Sequence, residues 1–208
     1  MKMSRYDGII FDMDGTLWDA VESYCQIWDK TIEEFGFNKP PVKREQLISL
    51  MGNTLDRIVP IVTPEATGNK EFIVRLGENE REMMPVLGGK LYDGVEETIK
   101  KLSRTHKLLM VSNCSADGLP NFLRFTRLQP YISDTLSNGD NGLDKVANIS
   151  LIVNRNNLKS PLYVGDTKGD EEACRKAGVD FAWASYGFGS ARMPEYILTK
   201  FSDILNII

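Results

Sequence analysis

The chain has 208 residues, with 25 Lys and Arg against 29 Asp and Glu and a formal net charge of -4. That length supports one substantial core plus a smaller module, and basic residues scattered among acidic ones speak against nucleic acid or an anionic membrane as partner. No stretch approaches the roughly 20 apolar residues of a membrane span, and the opening Met1–Gly8 lacks the apolar middle of a signal peptide, so a cytoplasmic location is expected.

The first predicted element is a buried strand, Ile9-Ile10-Phe11, ending in Asp12-Met13-Asp14-Gly15-Thr16. Successive strand residues face opposite ways, so Asp12 and Asp14 share a side, while Gly15 lets the backbone turn sharply toward an incoming anion. Tyr24, Ile27, Trp28, Thr31, Ile32 and Phe35 then repeat at helical spacing until Gly36 and Pro40-Pro41. Shorter helices are expected around Leu47–Met51 and from an Asn53 cap through Ile58, with a turn at Thr63-Pro64-Glu65 and a helix over Phe72–Met84. Pro85 to Gly89 reads as a return linker. The predicted organisation is a core formed by residues 1–17 and 88–208, with a helical insertion over 18–87.

After the linker, helix and strand alternate. Asp93 is expected to cap a helix bearing Val95, Ile99 and Leu102, and strands are expected at Leu108–Val111, Thr135–Ser137, Leu162–Val164 and Phe181–Ala184. Helices near Leu119–Phe125, Val146–Asn154 and Asp170–Ala177 separate them, which is the pattern of a doubly wound α/β fold with a parallel sheet. In such sheets ligands bind beyond the carboxyl ends of the strands, where Asp12, Ser112 and Asp166 would meet. The single histidine, His106, is expected on a surface loop and leaves no multi-histidine metal site. Cys25, Cys114 and Cys174 lack metal-ligand spacing and read as reduced thiols. Gly89-Lys90 and Gly187-Phe188-Gly189 miss the remaining positions of nucleotide-binding motifs and read as turns.

An apolar run followed by Asp-x-Asp-Gly-Thr resembles the first motif of the haloacid dehalogenase-like superfamily. Val111-Ser112-Asn113 resembles its second motif, Lys145 at a helix start its third, and Gly165-Asp166-Thr167-Lys168-Gly169-Asp170 its fourth, in the family's order. The resemblance implies Asp12 as nucleophile and Asp14 as general acid and base. It implies Mg2+ held by the Asp12 side chain, the Asp14 carbonyl and Asp166, with Asp170 behind them. Ser112, Asn113, Lys145 and the backbone around Gly15 and Thr16 would hold the phosphoryl group. Four acids in one cleft need such a cation, since two unit charges about 4 Å apart repel by about 4 kcal/mol at an effective dielectric of 20. The third-motif lysine is usually followed by proline and Lys145 is followed by Val146, so Lys159 is the alternative.

The helical insertion resembles the cap of phosphoglycolate phosphatases and phosphoglucomutase-like enzymes, which would place Gly52, Asn53 and Arg57 near the substrate. The expected function is a Mg2+-dependent phosphomonoesterase acting on a small phosphorylated metabolite through an aspartyl-phosphate. A sugar-phosphate mutase and a catalytically silent phospho-ligand binder are the alternatives. The mutase branch carries His where this chain has Tyr24, and dehalogenases lack the second acid that Asp14 supplies.

Overall fold

The structure is a computed structural model, and it describes residues 5–208. Met1–Ser4, part of the core segment expected over 1–17, lie outside the described residues. Strand β1 (Gly8–Phe11) is central in a six-stranded sheet of order β5-β4-β1-β6-β7-β8, comprising β4 (Lys107–Ser112), β5 (Asp134–Ser137), β6 (Pro161–Gly165), β7 (Asp180–Ala184) and β8 (Tyr196–Leu198). Every neighbouring pair in it is parallel. The chain runs outward on one side of β1 and then crosses to the other, so the carboxyl ends of β1, β4 and β6 open onto one crevice.

Alternation along the strands builds two apolar layers. Ile9, Phe11, Leu108, Met110, Leu162 and Val164 join one buried cluster, whereas Ile10, Leu109, Val111 and Tyr163 join the other. Both faces are covered, which is why these strands read as unbroken apolar runs. Helices α8 (Lys145–Arg155) and α9 (Lys168–Ala177) supply Ile149, Ile152, Ala173 and Cys174 to the second layer. Helices α5 (Val95–Leu102) and α6 (Gly118–Thr126) supply Val95, Ile99 and Phe122 to the first. A short helix α7 (Asn138–Asn141) follows β5 directly.

Between β1 and β4 lie the helices α1 (Val21–Glu34), α2 (Arg44–Ile48), α3 (Leu55–Val62) and α4 (Lys70–Leu87). Their packing rests on Phe72, whose ring lies 5.2 Å from that of Phe35 and 6.0 Å from that of Trp28. A polar clasp joins α1 to α4: Arg75 donates to Glu34, and the Asn79 amide donates to Thr31 Oγ1 and Glu34, each at 2.9 Å. The helical unit leaves and rejoins the core through an antiparallel ribbon of β2 (Trp18–Asp19) and β3 (Lys90–Leu91).

Several local expectations shift. The expected linker over Pro85–Gly89 begins inside α4, because Pro85 stands in its last turn and Gly88, at φ 62°, ends it. Asn53 does not cap α3; its side chain donates back to Leu50 O at 2.9 Å, and Thr54 takes the cap position. Gly94 rather than Asp93 precedes α5, in the left-handed conformation that glycine tolerates. His106 is half-buried in the turn before β4, with Nε2 unpartnered. All three cysteines are free. No helix among the described residues is long and apolar enough to cross a membrane.

Candidate active site

Asp12 follows β1 directly and is fixed by its N–H, which donates to Val164 O of β6 at 2.9 Å. Its carboxylate is buried, and the Lys145 ammonium stands 3.2 Å from Oδ1. That approach makes an ion pair without hydrogen-bond geometry, so Asp12 Oδ1 has no hydrogen-bond donor. Burial raises the Asp12 pKa to about 6 against the opposing pull of Lys145. Lys145 opens α8, where Asp144 caps the helix by accepting from Ala147 N at 2.8 Å. Burial works against the lysine's charge, yet Asp12 and Asp170 outweigh it and hold the ammonium firmly protonated.

Asp14 stands one residue beyond Met13 at the floor of the cleft. Trp18 Nε1 donates to its Oδ1 at 3.0 Å and the Tyr24 hydroxyl to its Oδ2 at 3.3 Å. Burial nevertheless raises its pKa well above the ordinary carboxyl range, helped by the charges of Asp12 and Glu80. Burial thus favours the protonated form of Asp14, whereas Lys145 favours the carboxylate of Asp12, which is the direction a general acid beside a nucleophile requires.

Asp166 follows β6 and is also buried. Its Oδ2 accepts from Phe188 N at 2.8 Å and Gly189 N at 3.3 Å, while Oδ1 has no partner. Desolvation, then Asp170 and Asp12, raise its pKa. One carboxylate oxygen from each of Asp12, Asp166 and Asp170 lies within 4.8 Å of the others. Buried carboxylates gathered this closely, with Asp166 Oδ1 unpartnered and Asp12 Oδ1 met only by the Lys145 charge, fit a hard divalent cation. Asp170 is already committed: Oδ1 accepts from Lys145 Nζ at 2.5 Å, and Oδ2 accepts from Thr167 N and Oγ1 at 3.0 and 2.6 Å in the cap of α9. Its place is behind Lys145, orienting it.

Ser112 ends β4 with its side chain buried, and its Oγ accepts from Cys114 N at 3.4 Å. Asn113 Nδ2 donates to Gly52 O at 2.8 Å, which ties the loop after α2 to the core. Gly15, at φ 76°, is required by space as well as conformation, since a Cβ there would lie 2.2 Å from Asp166 Oδ2. Thr16 is buried with Oγ1 unpartnered, and its carbonyl accepts from the Tyr186 hydroxyl at 2.8 Å. Gly52 and Asn53 line the cavity above Asp12 and Asp14, but Arg57 is exposed on α3 and is not among its lining residues. Lys159 is exposed at the opposite end of the sheet, where its N–H donates to Asp7.

Two features escaped sequence reasoning. The loop Gly187-Phe188-Gly189, read as a turn, supplies both N–H donors to Asp166, and a Cβ at Gly187 would stand 2.2 Å from Gly15 O. Its position just after β7, at the same sheet edge as Asp12 and Asp166, was the available signal. Glu80 is buried against the cavity, its Oε2 accepting from Ser115 Oγ at 3.0 Å. It follows Phe72 and Leu76 and precedes Met84 at intervals of four, which puts an acid on the apolar stripe of α4.

Comparison with known proteins points the same way. Residues 9–184 match the family model described as haloacid dehalogenase-like hydrolase. Phosphoglycolate phosphatase from Vibrio parahaemolyticus is 26% identical, covering 96% of this chain and 95% of its own length. The enzyme of the same name from Aquifex aeolicus is 25% identical over the same shares. Among solved structures, a haloacid dehalogenase-like family hydrolase from Streptococcus pneumoniae superposes with a TM-score of 0.83 at 18% identity, covering 97% of this chain and 98% of that one. CbbY from Rhodobacter sphaeroides, in complex with phosphate, gives 0.79 at 15% identity and covers 96% of each chain. With the family model running from β1 to β7 and through the insertion between them, the chain belongs to the haloacid dehalogenase-like hydrolases.

Proposed function

We propose that this phosphatase hydrolyses the phosphomonoester of a small metabolite through a covalent phosphate on Asp12, with Mg2+ as cofactor. The observation that carries the reading is the unequal pair of acids: Asp12 ion-paired with buried Lys145, and Asp14 kept protonated two residues away. Asp12 attacks phosphorus, the ester P–O bond breaks, and the Asp14 proton passes to the departing alkoxide. Water then attacks the same phosphorus, Asp14 takes its proton, and the bond to Asp12 breaks to release phosphate.

Lys145 holds one oxygen of the transferring group while its partner Asp170 fixes its direction. Ser112, Asn113 and the N–H groups around Gly15 and Thr16 supply further donors. Mg2+, held by Asp12 and Asp166 with the Asp14 carbonyl, would neutralise negative charge at the phosphoryl oxygens. The helical segment 18–87 acts as a cap that shields the reaction from bulk water. A silent binder has no use for a protonated acid beside the nucleophile, and a mutase would return the phosphoryl group to substrate instead of to water.

Phosphate release from p-nitrophenyl phosphate tests the reading. Turnover is expected with Mg2+, lost with EDTA, and absent in Asp12→Asn. Full activity of that variant would remove Asp12 as nucleophile, and an isomerised ester without free phosphate would establish the mutase.

A further inference from the structure

The cavity above Asp12 and Asp14 has a volume of about 80 Å³ and is where the leaving group of a phosphoester on Asp12 must sit. Its walls are apolar and aromatic, drawn chiefly from Tyr24, Trp28, Met51, Leu55 and Leu76. Beyond the two catalytic acids its one charged side chain is Glu80, and no Lys, Arg or His is among its lining residues. Arg81, the next residue, is exposed and pairs with Asp117 at 3.0 Å. An acceptor without a donor lies in the same wall, the buried Asn113 Oδ1.

These groups discriminate by charge. An anionic leaving group such as glycolate or a second phosphate would be buried beside Glu80 with no cation to meet it, and an unpaired charge in such a site is costly. A leaving group bearing an ammonium ion meets a carboxylate, an amide oxygen and aromatic walls suited to a cation. Burial raises the Glu80 pKa to about 7, consistent with a carboxylate that lacks a cationic partner.

We propose that the cap chamber selects phosphomonoesters of small amino alcohols, with Glu80 as the residue that receives the ammonium group. This rests on the phosphomonoesterase reading, and p-nitrophenyl phosphate serves as the common reference that separates the two. The full-length protein with Mg2+ is assayed for kcat/KM on O-phosphoethanolamine, phosphocholine, propyl phosphate and phosphoglycolate, esters that differ chiefly in the charge of the departing group. One or both cationic esters should exceed propyl phosphate by about tenfold or more, with phosphoglycolate last.

Glu80→Gln keeps the shape and the Ser115 contact. It should abolish that tenfold advantage, read as the ratio of kcat/KM on the cationic ester to that on propyl phosphate in the same variant. Equal use of the uncharged and cationic esters, a preference for phosphoglycolate, or an equal loss on all esters in Glu80→Gln overturns the assignment. Turnover of the reference ester with such a result leaves the phosphomonoesterase reading standing. No phosphate release from any ester, the reference included, overturns both.

Discussion

The two walls of the cleft are made of different chemistry. The sheet side is dense with charge: Asp12 and Asp170 both pair with Lys145, and Asp166 accepts from the N–H groups of Phe188 and Gly189. The cap side is largely apolar, with Glu80 its one charged lining residue, and Asn113 ties it to the sheet side by donating to Gly52 O. The contrast separates two tasks. Moving a phosphoryl group requires fixed charges on a rigid scaffold, whereas choosing the alcohol requires only shape and a few polar contacts.

The largest test of that division is Asp12→Asn, which should lower kcat by at least about 10^4-fold on every ester while leaving the fold intact. Loss confined to some esters would mean the sheet side also chooses substrates. Asp14→Asn should cost about 10^2 to 10^4-fold, and less for p-nitrophenyl phosphate than for an alkyl ester, since a good leaving group needs little help from an acid. Equal losses on the two esters would deny Asp14 its proton-donating role.

Stability measurements sharpen the same comparison. Lys145→Met leaves Asp12 and Asp170 buried without their cation and should cost about 3 to 5 kcal/mol in urea unfolding. On the cap side, Glu80 binds a proton more tightly in the folded chain, from 4.5 to about 7. Its stabilising contribution is complete below pH 4.5 and is lost as pH rises through 7, by about 3 kcal/mol. Glu80→Gln should gain that much relative to the parent between pH 4.5 and 8, and a pH-independent difference would show that Glu80 is not desolvated. Smallest of all, Arg57→Ala should change kcat/KM by less than about twofold, because the side chain is exposed and is not among the chamber's lining residues.

What the sequence disclosed follows the physical strength of each signal. Strands β1, β4, β6 and β7 are apolar on both faces and announce themselves as runs, and the acids at their ends come with fixed spacing. β8 has only three residues with Ile197 exposed, and the β2–β3 ribbon has two residues per strand, too short for any periodicity to register. Helix starts misled where two candidate caps adjoin: Asn53 beside Thr54, and Asp93 beside Gly94. At the site, Asp12, Asp14, Lys145 and Asp166 were legible because motif spacing carried them. The Gly187–Gly189 donors were not, since backbone N–H groups leave no side-chain trace. Glu80 was legible in principle, as an acid at a helix-stripe position where an apolar residue is the rule.

The paired strands β2 and β3 carry one further consequence. Trp18 stands opposite Leu91 and Asp19 opposite Lys90, so the chain departs toward the four helices and returns at neighbouring points. A Cβ on Gly89 would fall within 2.9 Å of Asp19 O, which shows how tightly the two crossings are pressed together. The two crossings therefore act as one narrow neck, through which any shift of the four helices relative to the sheet must pass.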